Sequence, residues 1–275
     1  MTLKKSILFS VLGLFLLMCN LNAQVLGQTP RDLFYDRISP SEKEIIPYDH
    51  IRESDVFYHK RIWRVIDVRE KMNLPFKYPK EPFVEILRQA AINGEINVYE
   101  NEDFVKQMTS TAVAAIGAGL DSVPETDSLG NPTGNWKKFN KTFNPENVKR
   151  FRLKEDWFFD EETSTMQVRI IGIAPITDIY DDQGNYRGPQ AMFWIYFPDA
   201  RKYLVKKEVF NSNNDAIRLS WDDLFEMRVF SSYIYKESNV FERRIEDYAE
   251  GIDRLYESER IKTEIFNFEH DLWSY

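Results

Sequence analysis

Hydrophobic and polar residues alternate through the middle of the chain in the manner of an antiparallel sheet. Phe151 and Leu153 alternate with Arg152 and Lys154, and a second alternating run follows in the next twenty residues. A period of two places the apolar residues on one face of a strand. The pattern predicts strands over about residues 148–197, interrupted by polar turns. These turns lie at 160–164 and 181–185.

Apolar residues spaced by three and four predict helices on either side of this sheet. Asp55 is in position to cap a helix over 56–69, and a second helix is predicted over 83–91. Ser220, with Asp223 three residues later, has the capping-box pattern that begins a helix. A long C-terminal helical segment is predicted from Asn239 onward, and short strands are predicted at 96–99 and 229–235. The predicted fold class is α+β: the antiparallel sheet and shorter strands packed with helices.

The first 23 residues have the pattern of a signal peptide. Lys4 and Lys5 precede an apolar run that ends at Met18, which is too short for a comfortable membrane span. We expect cleavage after about Ala23. A lipid-carrying Cys19 is the alternative, but a lipoprotein site needs a small residue where Met18 stands. No other stretch is long and apolar enough to predict a membrane span.

The remaining chain divides into an arm and one domain. Residues 24–52 are polar and contain three prolines, which favours an extended N-terminal arm, and residues 53–275 are predicted to form a single α+β domain. Residues 117–135 contain four glycines and two prolines but no aromatic residue. Since this stretch has little apolar surface to bury, we predict a mobile loop.

Composition excludes several classes of function. The chain has 275 residues and a net charge of −8. Removing the leader, with its two lysines and no acids, changes this charge to −10. A nucleic-acid-binding protein needs a basic face, so the acidic balance argues against that partner. The single cysteine, which lies in the leader, excludes a disulfide scaffold and a cysteine-rich metal site.

A search for catalytic motifs yields no candidate. The three histidines do not form a metal-ligand pair, and no serine-hydrolase elbow or phosphate-binding loop occurs. Adjacent carboxylates are frequent, but 44 acidic residues produce such pairs by chance. We therefore predict no catalytic residue, no cofactor and no metal, and a protein that is not an enzyme. A hydrolase with an unrecognised carboxylate pair remains the alternative.

Charge is segregated along the sequence. Residues 136–154 carry seven bases and one acid, whereas residues 239–275 carry ten acids and five bases. The simplest interpretation is two solvated faces. The alternative is a pair of complementary patches used in assembly, because opposite potentials steer and align partners. The candidate assembly surface consists of Lys137, Lys138, Lys141, Lys149, Arg150 and Arg152.

Several segments together resemble the GldN/PorN family, and the resemblance spans essentially the whole chain after the leader. The segments are IWRVIDVREKMN (62–73), DWFFD (156–160), RIIGIAP (169–175), WIYFP (194–198), WDDLF (221–225), FSSYIYK (230–236) and NVF (239–241). Members of that family are components of bacterial gliding motility and type IX secretion. The family has no catalytic residues to transfer to this chain.

The resemblance implies a periplasmic structural subunit at the inner face of the outer membrane. It implies self-association in a ring together with a GldK/PorK-type outer-membrane lipoprotein. It also implies contact with a GldM/PorM-type periplasmic shaft protein, which couples an inner-membrane motor to the ring. A monomeric glycan- or peptidoglycan-binding module, using exposed aromatic side chains, is the alternative function.

Overall fold

The computed structural model describes residues 43–117, 119–126, 132–141, 143–181, 183–211 and 218–273. Its strands are β1 (Val56–Asp67), β2 (Val98–Tyr99), β3 (Gly119–Thr126), β4 (Pro132–Lys141), β5 (Val148–Asp160), β6 (Thr165–Tyr180), β7 (Tyr186–Ala191), β8 (Trp194–Tyr196), β9 (Glu208–Val209), β10 (Leu219–Ser220) and β11 (Tyr233–Glu237). Its helices are α1 (Phe83–Ile92), α2 (Ser110–Ala115), α3 (Phe197–Leu204), α4 (Trp221–Glu226) and α5 (Asp253–Trp273). Short 3₁₀ turns occupy Glu53–Asp55, Lys71–Lys77, Pro145–Asn147 and Ile245–Asp247.

Within the described residues, seven strands form one antiparallel sheet. Their order is β11-β1-β5-β6-β8-β2, with β7 also paired to β6. The long hairpin of β5 and β6 forms the centre of the sheet. Strand β1 pairs with the edge of β5 that faces away from β6, along the whole length of β1. The predicted strands at 148–197 are therefore confirmed, and so is the α+β class, since helices including a C-terminal one pack with this sheet.

Aromatic rings fill the main core between the sheet and helices α1, α3 and α4. Phe83 of α1 stacks on Trp221 of α4 with ring centres 4.1 Å apart, and Phe151 of β5 lies 5.3 Å from Phe83. Burying one such side chain stabilises the fold by on the order of 1.5–3 kcal/mol. Ser220 caps α4 through the predicted capping box, in which its hydroxyl oxygen accepts from the Asp223 amide at 3.1 Å.

The segment predicted as a helix over 56–69 is the strand β1, so that prediction is wrong. Residues 62–66 are buried at successive positions because both faces of this part of the strand are covered. Covering both faces removes the alternation that identifies a strand from sequence. Valine, isoleucine and aromatic residues dominate the segment, and these residues fit a pleated sheet better than a helix.

The long C-terminal helix begins later than the sequence pattern predicts. Asn239 accepts hydrogen bonds from the amides of Phe241 and Arg243 at 3.1 and 2.9 Å, but this side chain closes a turn, and no α-helix begins before Asp253. Gly251 then adopts a φ of +56°, in the left-handed region that glycine tolerates. Helix α5 begins two residues later and runs from Asp253 to Trp273.

Strands β3 and β4 form a separate two-stranded sheet that includes much of the segment predicted as a mobile loop over 117–135 and continues to Lys141. The backbone pairs from Gly119 with Lys141 to Thr126 with Pro132. The described parts of this segment therefore have regular pairing instead of an irregular path. Its mobility stays a prediction, and residues 118 and 127–131 lie outside the described residues.

Residues 43–52 of the predicted arm form no helix or strand, but they contact the domain. The Tyr48 ring lies 4.1 Å from the Arg201 guanidinium carbon, and the Tyr48 hydroxyl donates to Glu226. Lys43 forms an ion pair with Asp223. Tyr48 is thus the anchor of this stretch. The predicted signal peptide (1–23) and the arm residues before 43 lie outside the described residues.

Candidate interaction surface

The six basic residues predicted as an assembly surface lie in two different sheets. Lys137, Lys138 and Lys141 belong to β4 of the separate hairpin. Lys149, Arg150 and Arg152 belong to β5, beside β1 in the main sheet. The continuous basic stretch of the sequence is therefore divided between two structural elements, and we consider the β5 group first.

Arg150 and Arg152 lie on the sheet face opposite Phe151 and Leu153, as the alternation of β5 requires. Both arginines are half-buried, whereas Lys149 is exposed. Arg150 forms an ion pair with Asp178 of the adjacent strand β6. The guanidinium carbon of Arg152 lies 5.0 Å from the centre of the Tyr235 ring, in a cation–π contact. The two arginines thus differ: Arg150 has a carboxylate partner, and Arg152 rests on an aromatic ring.

These arginines line a cleft at the β11 edge of the sheet. The cleft has a volume of about 260 Å³, and its walls come from β1, β5, β7, β11 and the segment before and at the start of α5. Tyr233 and Tyr235 project into it from β11, and Arg254 and Leu255 from the first turn of α5. We call this feature the arginine cleft. It is lined by Val65, Arg150, Arg152, Pro189, Tyr233, Ile234, Tyr235, Ile245, Glu246, Gly251, Arg254 and Leu255.

The arginine cleft has an excess of positive charge. Its carboxylate, Glu246, forms an ion pair with Arg244 at 2.9 Å, and Arg150 is paired with Asp178. Among the described residues, neither Arg152 nor Arg254 has an ion-pair partner. Two guanidinium groups therefore remain without a carboxylate beside this cavity.

The tyrosines of the cleft remain protonated near neutral pH. Burial raises the pKa of Tyr235 to about 12, even though the nearby Arg152 opposes the shift. Burial also raises the pKa of Tyr233. Protonated phenols are hydrogen-bond donors. The cleft therefore combines two unpaired cations with two phenolic hydroxyls.

An apolar strip adjoins the cleft at the start of α5. Ile252, Leu255 and Tyr256 are 64 %, 59 % and 67 % exposed. A single exposed apolar residue is ordinary on a protein surface, but neighbouring ones in one helical turn mark a contact surface. The cleft and this strip together form the candidate interaction surface.

Ion pairs within α5 occupy part of the charged side chains of the acidic C-terminal segment. On α5, Arg260 pairs with both Glu257 and Glu264 at 2.7 and 2.9 Å, and Lys262 pairs with Glu259 at 3.1 Å. These pairs leave the excess of acids over bases in residues 239–275 unchanged, because both cations are already counted in it.

A buried ionic network that the sequence analysis missed lies near the middle of the sheet. The Glu155 side chain is fully buried, and its carboxylate accepts from Arg228 at 3.0 Å and from the indole nitrogen of Trp157 at 3.0 Å. Arg64 lies 3.2 Å from the same carboxylate. The sequence signal that could have indicated this network is the acidic residue Glu155, which lies between the apolar positions Leu153 and Trp157 of β5.

In the part of the chain that the structure describes, no group of three or more histidine, cysteine, aspartate or glutamate side chains is arranged to hold a metal ion. No helix in those residues combines the length and the apolar character needed to cross a bilayer.

The family model described as "Gliding motility associated protein GldN" matches residues 51–274. The chain belongs to the GldN family. The match to this GldN family model includes the whole main sheet, the arginine cleft and α5, and it confirms the resemblance found in the sequence. A comparison with curated proteins gave no match. The GldN family is associated with gliding motility, and its description names no catalytic activity.

Proposed function

We propose that this chain is a non-enzymatic structural subunit of the type IX protein secretion and gliding motility machinery. In this proposal it lies in the periplasm, at the inner face of the outer membrane, after removal of the leader. It forms a ring with itself and a GldK/PorK-type lipoprotein, and it contacts a GldM/PorM-type shaft protein. The observation that carries the proposal is the family match over residues 51–274.

The geometry of the domain supports an assembly role. A ring closed head to tail needs two different surfaces on each subunit. The arginine cleft with its apolar strip provides one candidate for such a surface. The β3–β4 hairpin, with Lys137, Lys138 and Lys141, is a second and separate element. The predicted complementary charge patches remain part of this proposal.

Co-purification from the cell envelope tests the proposed function. A tagged chain, extracted from membranes with mild detergent, should elute in size-exclusion chromatography far above the 32.6 kDa of one chain. Mass spectrometry should find the lipoprotein and the shaft protein in the same fractions. Reversing the charge at Lys137, Lys138 and Lys141 should weaken this assembly. A chain that elutes as a monomer without these proteins would contradict the proposal.

The monomeric glycan-binding module is the second candidate. Tyr180 and Tyr186, at the β6–β7 end of the sheet, are 57 % and 55 % exposed, with ring centres 5.8 Å apart. Exposed aromatic rings of this kind can stack on sugars. A monomer that binds peptidoglycan, and that loses this binding in Tyr180→Ala, would favour the module over the ring subunit.

A further inference from the structure

Arg152 places a half-buried cation in the arginine cleft. Arg152 is half-buried and rests on the Tyr235 ring, but no described carboxylate is paired with it. Removing a guanidinium from water is unfavourable unless an anion or hydrogen-bond acceptors replace the water. Stacking on the tyrosine holds the guanidinium in place, which lowers the entropy lost when an anion binds.

The opposite wall adds a second cation in a favourable position. Arg254 lies in the first turn of α5, a helix of 21 residues, and it is exposed and unpaired among the described residues. Among the residues that line the cleft, Glu246 carries the carboxylate, and it is paired with Arg244. An anion placed between Arg152 and Arg254 therefore meets two guanidinium groups that have no ion-pair partner among the described residues.

The surroundings of the cleft decide which anion fits. Guanidinium groups bind carboxylates and phosphates with two parallel hydrogen bonds. A free phosphate would leave the exposed apolar strip (Ile252, Leu255 and Tyr256) uncovered. A peptide covers both surfaces, because an acidic side chain reaches the cavity while apolar neighbours lie along the helix. The cavity of about 260 Å³ accommodates one or two side chains.

We propose that the arginine cleft binds an acidic segment of a protein partner, with a glutamate or aspartate carboxylate held between Arg152 and Arg254. Tyr233 and Tyr235 provide phenolic donors at the same site. Apolar residues beside that carboxylate pack on Ile252, Leu255 and Tyr256. This inference rests on the proposed function, because it names the chemistry by which one partner of the assembly is recognised.

Fluorescence anisotropy on the purified full chain without its leader tests the site. The probe is a fluorescein-labelled twelve-residue peptide in which glutamates alternate with leucines, and the matched peptide has glutamine in place of every glutamate. The glutamate peptide should bind saturably, and the glutamine peptide should bind at least tenfold more weakly. Arg152→Gln and Arg254→Gln should each weaken binding of the glutamate peptide about tenfold, which corresponds to about 1.4 kcal/mol.

Lys202→Gln is the matched control, because Lys202 is exposed on α3 and is not part of the cleft. This variant should bind the glutamate peptide like the parent. Arg254 is exposed, so its substitution tests the site without removing a residue from the core. Equal binding of the two peptides, no binding of the glutamate peptide, or unchanged affinity in both arginine variants would overturn the proposal. Displacement of the peptide by inorganic phosphate at lower concentration than by acetate would overturn the assignment to a carboxylate.

The two proposals fail in distinguishable ways. A chain that co-purifies with its envelope partners but does not bind the glutamate peptide overturns the cleft assignment and leaves the proposed function supported. A chain that binds the peptide through Arg152 and Arg254 but has no envelope partners overturns the proposed function and supports the cleft.

Discussion

Asp156 shows how one residue links the sheet to the pH dependence of the fold. It lies opposite Arg61 on the paired strands β5 and β1, and Arg61 donates to both carboxylate oxygens at 2.6 and 2.8 Å. His59 lies 3.3 Å away. Burial is the largest single effect and opposes ionisation of Asp156, but the hydrogen bonds and charges of Arg61 and His59 together outweigh it and lower the pKa of this carboxyl. The ionised form therefore stabilises the folded state.

Asp156→Asn should lower the free energy of unfolding at pH 7 by about 1–2 kcal/mol, between the values for exposed and buried charged pairs. Because the pKa of Asp156 is lower in the folded chain than in the unfolded chain, its carboxylate contributes its full stabilisation of the fold above the unfolded-state pKa of about 3.9. This stabilisation is lost as the pH falls through the lower pKa of the folded state. The difference between parent and variant should therefore shrink below about pH 3.9. Urea unfolding of both chains at pH 7, 5 and 3 measures this difference in the free energy of unfolding.

The control for this prediction is Asp199→Asn, which removes an exposed carboxylate of α3. Its effect should stay within about 0.5 kcal/mol at each pH. An Asp156→Asn chain as stable as the parent at pH 7 would show that the ion pair with Arg61 contributes nothing. A difference that persists unchanged at pH 3 would assign the effect to packing instead of charge.

Glu155 joins three elements of the fold through its carboxylate. It belongs to β5, Arg64 belongs to β1, and Arg228 lies in the loop between α4 and β11. Arg228 adopts a φ of +55°, which is unfavourable for a side chain of this kind. The Trp157 ring lies between the two guanidinium groups, 5.7 Å from Arg64 and 5.4 Å from Arg228. The network therefore fixes the loop against the sheet.

Glu155→Gln should destabilise the fold by about 3–5 kcal/mol, because it leaves two largely buried guanidinium groups without their carboxylate. The side chains keep nearly the same volume, so lost packing contributes little. Chemical unfolding followed by tryptophan fluorescence measures the change. Glu162→Gln, at an exposed position in the β5–β6 turn, should change stability by less than about 0.5 kcal/mol. Similar stabilities for the two variants would refute the structural importance of the network.

Elements with an alternating pattern or a capping signal were predictable from the sequence, and β1 was not. Strands β5 and β6 alternate apolar and polar residues over much of their length, and α4 begins at a capping box that the sequence predicts. In β1 the buried run at 62–66 removed the alternation. The start of α5 was misplaced because apolar residues before Gly251 continue a helical spacing without forming a helix.

The candidate surface was predictable only in part. Arg150 and Arg152 were identified from the excess of basic residues in their stretch of sequence, and the structure places both in the cleft. Arg254 was missed because it lies in a segment with an acidic balance, about 100 positions further along the chain. Sheet pairing beside β11 and the turn at Gly251 bring it to the cleft, and charge counting along the sequence contains no information on either.

Across the whole molecule, the arm stretch is held to the domain by side chains and not by regular secondary structure. Residues 43–52 contain no helix or strand, and Ile46 is 81 % exposed. The centre of the Tyr48 ring lies 4.1 Å from Arg201 and 4.9 Å from Arg169. Arg201 is itself fixed by a buried ion pair with Asp222 at 2.8 Å. Because a few side chains hold this arm, we expect it to detach while the domain stays folded.

Tyr48→Ala should release this arm without unfolding the domain. Two cation–π contacts contribute about 1–2 kcal/mol together, so their loss should raise the detached fraction about tenfold. Trypsin should then cleave after Lys43 and Arg52 about tenfold faster, as followed by mass spectrometry, since cleavage reports the population of the open form. Ile46→Ala, at an exposed position of the same stretch, should leave both cleavage rates unchanged. Equal rates in the parent and in Tyr48→Ala would mean that the arm is held elsewhere, whereas faster cleavage throughout the sheet would mean that the arm stabilises the entire domain.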